Sequence, residues 1–415
     1  MSEATTEPAA PPQRGVFLLF LLVFLACLPD AMLPPALRPM VVERLGATEP
    51  QAHWFMAINL AGALIAVPVL SRVRRIVPPL FLVIVGAAAN SALLAALALA
   101  TTLPLAMLLR GLEGVADVVV LAALFDLAAK AGPAASQGRR MGLASTALML
   151  GLAGGAATGA LVGGTPTTVL LLGASFCAVL ALCAGAGRAI IERIVDAAPP
   201  RPDAAPSRLA LRNSPPLWPI ALMMGSDRML AGLLTSTLPL LLASRLGWSP
   251  ERIGGMLALP LLLMALGAGP AGIVADRAGN LFTRTCAALA YALALAVAPM
   301  TGAISGGLAL PSLLATMLVL GLAASALMPS EMALAARTGR GAVAMGACQV
   351  AGNVGYLVGI AGAGWLLLVL GGPSPARPVY TMVIQLFALA HVVVTGVTML
   401  ESRRGAGRSA AGQAE

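Results

Sequence analysis

Gly272-Ile273-Val274-Ala275-Asp276-Arg277-Ala278-Gly279-Asn280 is a short charged turn set between two long apolar runs, and its reading decides the fold. A hydrocarbon core about 30 Å thick needs about 20 apolar residues of helix to cross it. The runs 253 to 275 and 282 to 304 each meet that length. The turn is therefore the elbow of a membrane hairpin. The whole chain carries the same signature: 415 residues, 59% hydrophobic and only 10% charged, against about 25% charged in soluble domains. Its mean hydropathy is +0.91. The net charge of +9 comes from basic residues placed singly or in pairs between apolar runs. With no aromatic residues interleaved among them, they read as topology signals and exclude a nucleic-acid partner.

Apolar runs separated by charged, Pro, Gly or Asn punctuation give an all-α integral membrane protein of twelve transmembrane helices in two pseudo-symmetric six-helix bundles. The runs fall at 16–37, 53–70, 77–101, 105–129, 142–163 and 168–187, then at 217–244, 253–275, 282–304, 308–335, 342–370 and 379–400. The first run is a membrane span, not a cleaved signal peptide, because its apolar pattern continues past Cys27 and eleven more runs follow. The domain reading is a tail at 1–15, a bundle at 16–187, an Arg- and Pro-rich linker at 188–216, a bundle at 217–400 and a tail at 401–415. With both termini in the cytoplasm, 19 basic residues lie inside and five outside (Arg38, Arg44, Arg245, Arg252, Arg377). That asymmetry is what the positive-inside rule requires, and it points to the plasma membrane of a bacterial cell.

An internal repeat ties the halves together. Gly142, Gly151 and Gly155 recur as Gly346, Gly355 and Gly359, the spacing G-x8-G-x3-G twice at an offset of 204 residues. Gly159 extends the first copy. These are helix-packing glycines. The elbow recurs more faintly as Ser71-Arg72-Val73-Arg74-Arg75. Duplicated halves with a binding site between them are a transporter architecture.

With these residues in view the chain resembles the major facilitator superfamily, over nearly its whole length, and within it the twelve-span drug/proton antiporters. Gly272-x3-Asp276-Arg277-x-Gly279 resembles the loop motif of that family. Arg110-x3-Gly114 resembles its second motif, with Glu113 where Gln is commoner. Span five resembles the antiporter motif, with Ala156 in place of Pro and Ala160 in place of a second Gly. The first elbow departs further, with Ser71 for the acid and Arg74 for the glycine. The resemblance implies a secondary transporter working as a monomer, which exports a small solute in exchange for protons by rocking two halves about a central site. Uptake or facilitated diffusion is the other transport mode. A sensor or assembly protein that keeps the fold is the competing class.

Charged residues inside spans single out the chemistry, since each costs about 2.5 to 3.5 kcal/mol at mid-membrane. Asp30 follows Pro29 in span one, where Pro34, Pro35 and Pro39 predict a kinked or unwound helix. In span four, helical spacing puts Asp117 about 20° from Arg110 and Glu113 about 60° to one side. All three share one stripe and can exchange an ion pair for a proton. Asp227 and Arg228 in span seven point about 100° apart, so one of them faces a cavity. As gating contacts, Asp126 is expected to pair with Arg72 or Arg75, and Glu331 with Arg277. His53 reads as an interfacial residue and His391 as a packing residue of an outer span.

No cofactor or metal site is expected. The five cysteines form neither a C-x-x-C pair nor a disulfide framework. Gly267-x-Gly269-x-x-Gly272 matches a dinucleotide fingerprint, but it lies inside a span with no preceding strand. The sequence also lacks H-E-x-x-H, G-x-S-x-G and a Walker loop, so an enzyme is not the reading.

Overall fold

The computed structural model describes residues 13–74, 76–132, 137–196, 216–301, 304, 306–336, 338 and 341–411. Helices span Gln13–Leu37, Glu49–Val73, Pro79–Leu99, Leu103–Lys130, Gln137–Val162 and Pro166–Ala186 in the first half. In the second half they span Trp218–Leu246, Pro250–Ala278, Asn280–Thr301, Ala309–Ala336, Gly341–Gly371 and Arg377–Ala411. These are spans one to twelve. Eleven of them have the length and apolarity to cross a membrane. The other is span four, whose apolar run is interrupted by Arg110, Glu113 and Asp117.

Two spans, one and seven, depart from regular helix in their later halves. Span one passes Pro29, Pro34 and Pro35 as α-helix and then loosens into a π-helical turn at Arg38–Glu43, with Pro39 inside it. It is therefore longer than the apolar run suggests. Proline removes an intrahelical donor, and widening the turn accommodates the loss. Span seven breaks at Ser236, where φ −124° and ψ −59° leave the helical region before Thr237–Leu246 resumes.

The paired glycines set how the halves are built. A Cβ placed on Gly151, Gly155 or Gly159 would collide with the carbonyls of Phe24, Leu28 and Met32, so span five lies directly on the backbone of span one. Gly355 and Gly359 meet the carbonyls of Gly225 and Met229 in the same way, packing span eleven on span seven. Gly142 and Gly346, the first glycine of each copy, have nothing within 4 Å. Only the later members do the packing. Between the halves, span five runs along span eight and span two along span eleven.

The stretch assigned to the linker begins with a short helix, Arg188–Asp196. Its Ile191 and Ile194 are buried, and Gly15 of span one lies against Ile190 and Ile194. The amphipathic pattern of this segment folds it onto the first bundle.

Candidate functional site

Two charged clusters occupy the interior, one in each half. In the first, Arg110 donates from Nη2 to Asp30 Oδ1 at 3.0 Å and from Nη1 to Glu113 Oε2. Arg110 and Glu113 are sealed in, with side chains 2% and 1% exposed, while Asp30 at 33% is the partly exposed partner of Arg110. The proline-interrupted span one presents Asp30, and span four presents the other two. Asp117, one helical repeat beyond Arg110, is held from two sides. Asn59 of span two donates to its Oδ2 at 3.2 Å, and Asn90 of span three donates to its Oδ1.

Close helix packing makes this convergence possible. A Cβ on Gly114 would strike the Asn59 backbone, and one on Gly62 would strike the Gly111 carbonyl. Small residues therefore draw spans two and four together and bring Asn59 to Asp117. Carboxylate oxygens of Asp30, Glu113 and Asp117 lie within 4.8 Å of one another. One guanidinium stands among three acids and pairs with two of them, Asp30 and Glu113. Glu113 Oε1 and Asn90 Oδ1 are buried without a hydrogen-bond partner, which leaves acceptor capacity inside the cluster. Arg110 already occupies the space between Asp30 and Glu113, so the arrangement suits proton exchange better than a metal cage.

The second cluster forms around Arg284. This residue donates to Asp227 Oδ1 at 3.0 Å and to Thr395 at 3.3 Å, and it lies 3.5 Å from Glu331 Oε1. His391 Nε2 stands 3.5 Å from Asp227 Oδ1. The expected partner of Glu331, Arg277, is replaced by Arg284, because Glu331 is buried in the bundle while Arg277 is exposed at the end of span eight. Arg284, one of the 19 basic residues assigned to the cytoplasmic side, is completely buried inside the second bundle. His391 likewise belongs to a charged centre and not to a peripheral packing layer. Arg228, next to Asp227 in sequence, lines with it a void that also meets Met224, Met264 and Met328.

Both elbows are placed at one end of the molecule. Asp276 and Arg277 are exposed, and Gly279 has φ +94°, a backbone conformation that glycine permits at the turn. At the first elbow Asp126 pairs with Arg74 at 3.0 Å and Lys130 at 2.8 Å. Arg72 is exposed without that partner, and Arg75 lies outside the described residues. The helix around residues 72 to 74 turns Arg74, not Arg72, toward span four. Among the described residues no ion pair joins the two halves at this end.

The opposite end is closed. Glu49, in the first turn of span two after a Thr48–Gln51 capping box, accepts from Arg245 Nη2 and from the Tyr380 hydroxyl, each at 2.8 Å. Arg245 also donates to Ser374 Oγ at 2.9 Å and the Pro375 carbonyl at 2.7 Å. Arg38 donates to the Ala243 carbonyl at 3.0 Å. His53, expected at an interface with lipid headgroups, is instead buried and 3.1 Å from Thr237 of the other half. Gly254 packs on Ala156 and Ala160 between spans eight and five. This latch was not legible in the sequence, because its members are far apart along the chain and form no motif.

Twelve long helices in two packed bundles, eleven of them apolar enough to cross a membrane, with charges gathered inside each bundle and one mouth shut, define a membrane transporter fold. The family model described as Major Facilitator Superfamily matches residues 19–304 and 220–414, and the chain belongs to that family. Solved structures agree in fold. A bacterial homologue of the human lysosomal transporter Spinster, in an inward-facing, unoccupied conformation, has TM-score 0.68 at 13% identity, covering 94% of this chain and 97% of that one. The nucleoside transporter NupG has TM-score 0.70 at 13% identity, covering 93% and 98%. A POT family transporter in complex with 5-aminolevulinic acid has TM-score 0.75 at 11% identity, covering 94% and 96%. Among curated proteins no match was found.

Proposed function

We propose that this chain is a proton-coupled transporter of a small solute, with Asp30, Glu113 and Asp117 as the proton-carrying acids and Arg110 as the charge that competes for them. The observation that carries the reading is the charge imbalance of the first cluster: three carboxylates gather beside one guanidinium, which pairs with only two of them. Leaving the two excess negative charges in a membrane interior is costly. Protons relieve that cost, and a rearrangement that separates Arg110 from Glu113 or Asp30 changes which acid holds them.

The two halves, joined by the 188–216 linker, rock about the space between the clusters. In the conformation described here the Glu49–Arg245–Tyr380 end is shut, and no ion pair between described residues bridges the elbow end. The charge asymmetry of the loops assigns the shut end to the outside, so this is the state that exchanges with the cytoplasm. Export in exchange for protons is the direction that the resemblance of span five to the antiporters favours. A second reading, uptake together with protons, is favoured by Arg228, because an anion and protons neutralise one another when carried together.

The test is solute-driven proton flux in proteoliposomes, run over a panel of solutes. Asp117→Asn, Glu113→Gln and Asp30→Asn are each expected to uncouple proton flux from solute flux. Wild-type coupling in all three would remove the first cluster from the mechanism.

A further inference from the structure

Arg228 is a guanidinium that forms no ion pair with any described acid. It projects from span seven, its stem packed against Gly352, where an added Cβ would stand 3.3 Å from Arg228 Cγ. Its Nη2 reaches Met328 Sδ at 4.0 Å, and among the described residues it forms no ion pair. The acids nearby are committed elsewhere. Asp227 and Glu331 line the same void, but both are directed to Arg284, which is 3.0 Å from one and 3.5 Å from the other. Arg228 therefore lines this void without pairing to either acid.

The surroundings describe what this guanidinium can take. The void holds about 40 Å³ of free space, lined by Met224, Met264, Met328, Tyr291 and Leu327 as well as the charged residues. Methionines are unbranched and polarizable, and they adapt to apolar shapes. Guanidinium is planar, always charged and matched to a carboxylate by two parallel hydrogen bonds. Sited on such a wall, it offers one strong anchor to an anionic group and an accommodating surface to an apolar body.

We propose that Arg228 is the anchor for an organic anion, and that the solute carried by this protein is an amphipathic carboxylate whose charged head meets Arg228 while its apolar body lies on the Met224–Met264–Met328 wall. The proposal rests on the reading of the central space as the transport site. It adds the chemical class of the solute to that reading. The competing assignment for Arg228 is a water-bridged counter-charge to Glu331, a role that would give it no preference among ligands.

The experiment uses three compounds of one shape and different charge: benzoate, benzamide and benzylamine. The purified full-length chain in detergent is heated with each at equal ionic strength, and unfolding is followed by tryptophan fluorescence. This measures binding and needs neither a proton gradient nor transport, so failure of the proton-coupling reading leaves it intact. Benzoate at tens of millimolar is expected to raise the midpoint by about 2 °C, and the other two to leave it unchanged. Arg228→Gln is expected to abolish the benzoate shift, and Arg228→Lys to retain part of it. Equal response to all three compounds, no response to benzoate, or an undiminished benzoate shift in Arg228→Gln would each overturn the proposal. Should Arg228→Gln fail to fold, the wild-type charge panel and Arg228→Lys still decide. Recovery of folding by Arg228→Gln combined with Glu331→Gln, with no charge preference in the wild type, would establish the counter-charge role instead.

Discussion

Removing the negative charge at Glu49 is expected to loosen the shut mouth without unfolding the chain. Glu49 accepts two hydrogen bonds at 2.8 Å, from Arg245 and from Tyr380, and both come from the second half. Hydrogen bonds to a charged group contribute about 1.5 to 3 kcal/mol each. Two considerations reduce that figure. Arg245 is 23% exposed, so solvent screens part of the ion pair. Glutamine also keeps one acceptor, and Arg245 retains Ser374 and the Pro375 carbonyl, so no buried donor is stranded. Glu49→Gln should therefore cost the closed mouth about 1.5 kcal/mol, or about a tenfold shift in the closed-to-open ratio. The loss of an acid from the first turn of span two weakens both conformers equally and does not enter this ratio.

The shift is measurable by spin-label distances across the mouth, with cysteines at Thr101 and Ala376, both exposed, in a chain whose native cysteines are replaced. The expected result is a longer-distance population that grows about tenfold relative to the short one. Arg245→Gln should produce a change of similar size, since its contacts to Ser374 and Pro375 lie within the second half and do not enter the ratio. A distance distribution unchanged by Glu49→Gln, in protein of normal helix content, would refute the reasoning.

Further outcomes follow from the packing and the charge clusters. Gly155→Val places a side chain against the Leu28 carbonyl and should destabilise the first bundle by about 1 to 3 kcal/mol, lowering the unfolding midpoint. Gly142→Ala, with nothing within 4 Å, should leave that midpoint unchanged. Asp276→Asn at the intact elbow is expected to slow transport more than Ser71→Asp alters it, and equal tolerance in a flux assay would reduce both elbows to topology signals. Arg284→Gln leaves Asp227 and Glu331 buried without their shared cation, and should lower the yield of folded protein in detergent; Arg284→Gln with Asp227→Asn and Glu331→Gln should recover it.

The span count, the two-bundle plan and the stripe of Arg110, Glu113 and Asp117 were legible in the chain. Hydropathy and helical period are local properties, and a bilayer converts them into structure with little choice, because every backbone polar group must be satisfied within its own helix. The repeated glycines announced close packing for the same reason: only a missing Cβ lets one backbone rest on another. What the sequence left open was which charges meet. Arg284 reads as a loop cation and His391 as a packing residue until the tertiary structure sets both around Asp227. Glu49, Arg245 and Tyr380 lie 196 and 331 residues apart along the chain and form one latch. Arg74, not Arg72, faces Asp126 because a helix turns each residue by 100°, and a span boundary shifted by one residue changes which side chain points inward. The sequence alone determines that these charges cannot stay unpartnered in a membrane; the choice of partner depends on where twelve rigid helices come to rest against one another, which only the fold decides.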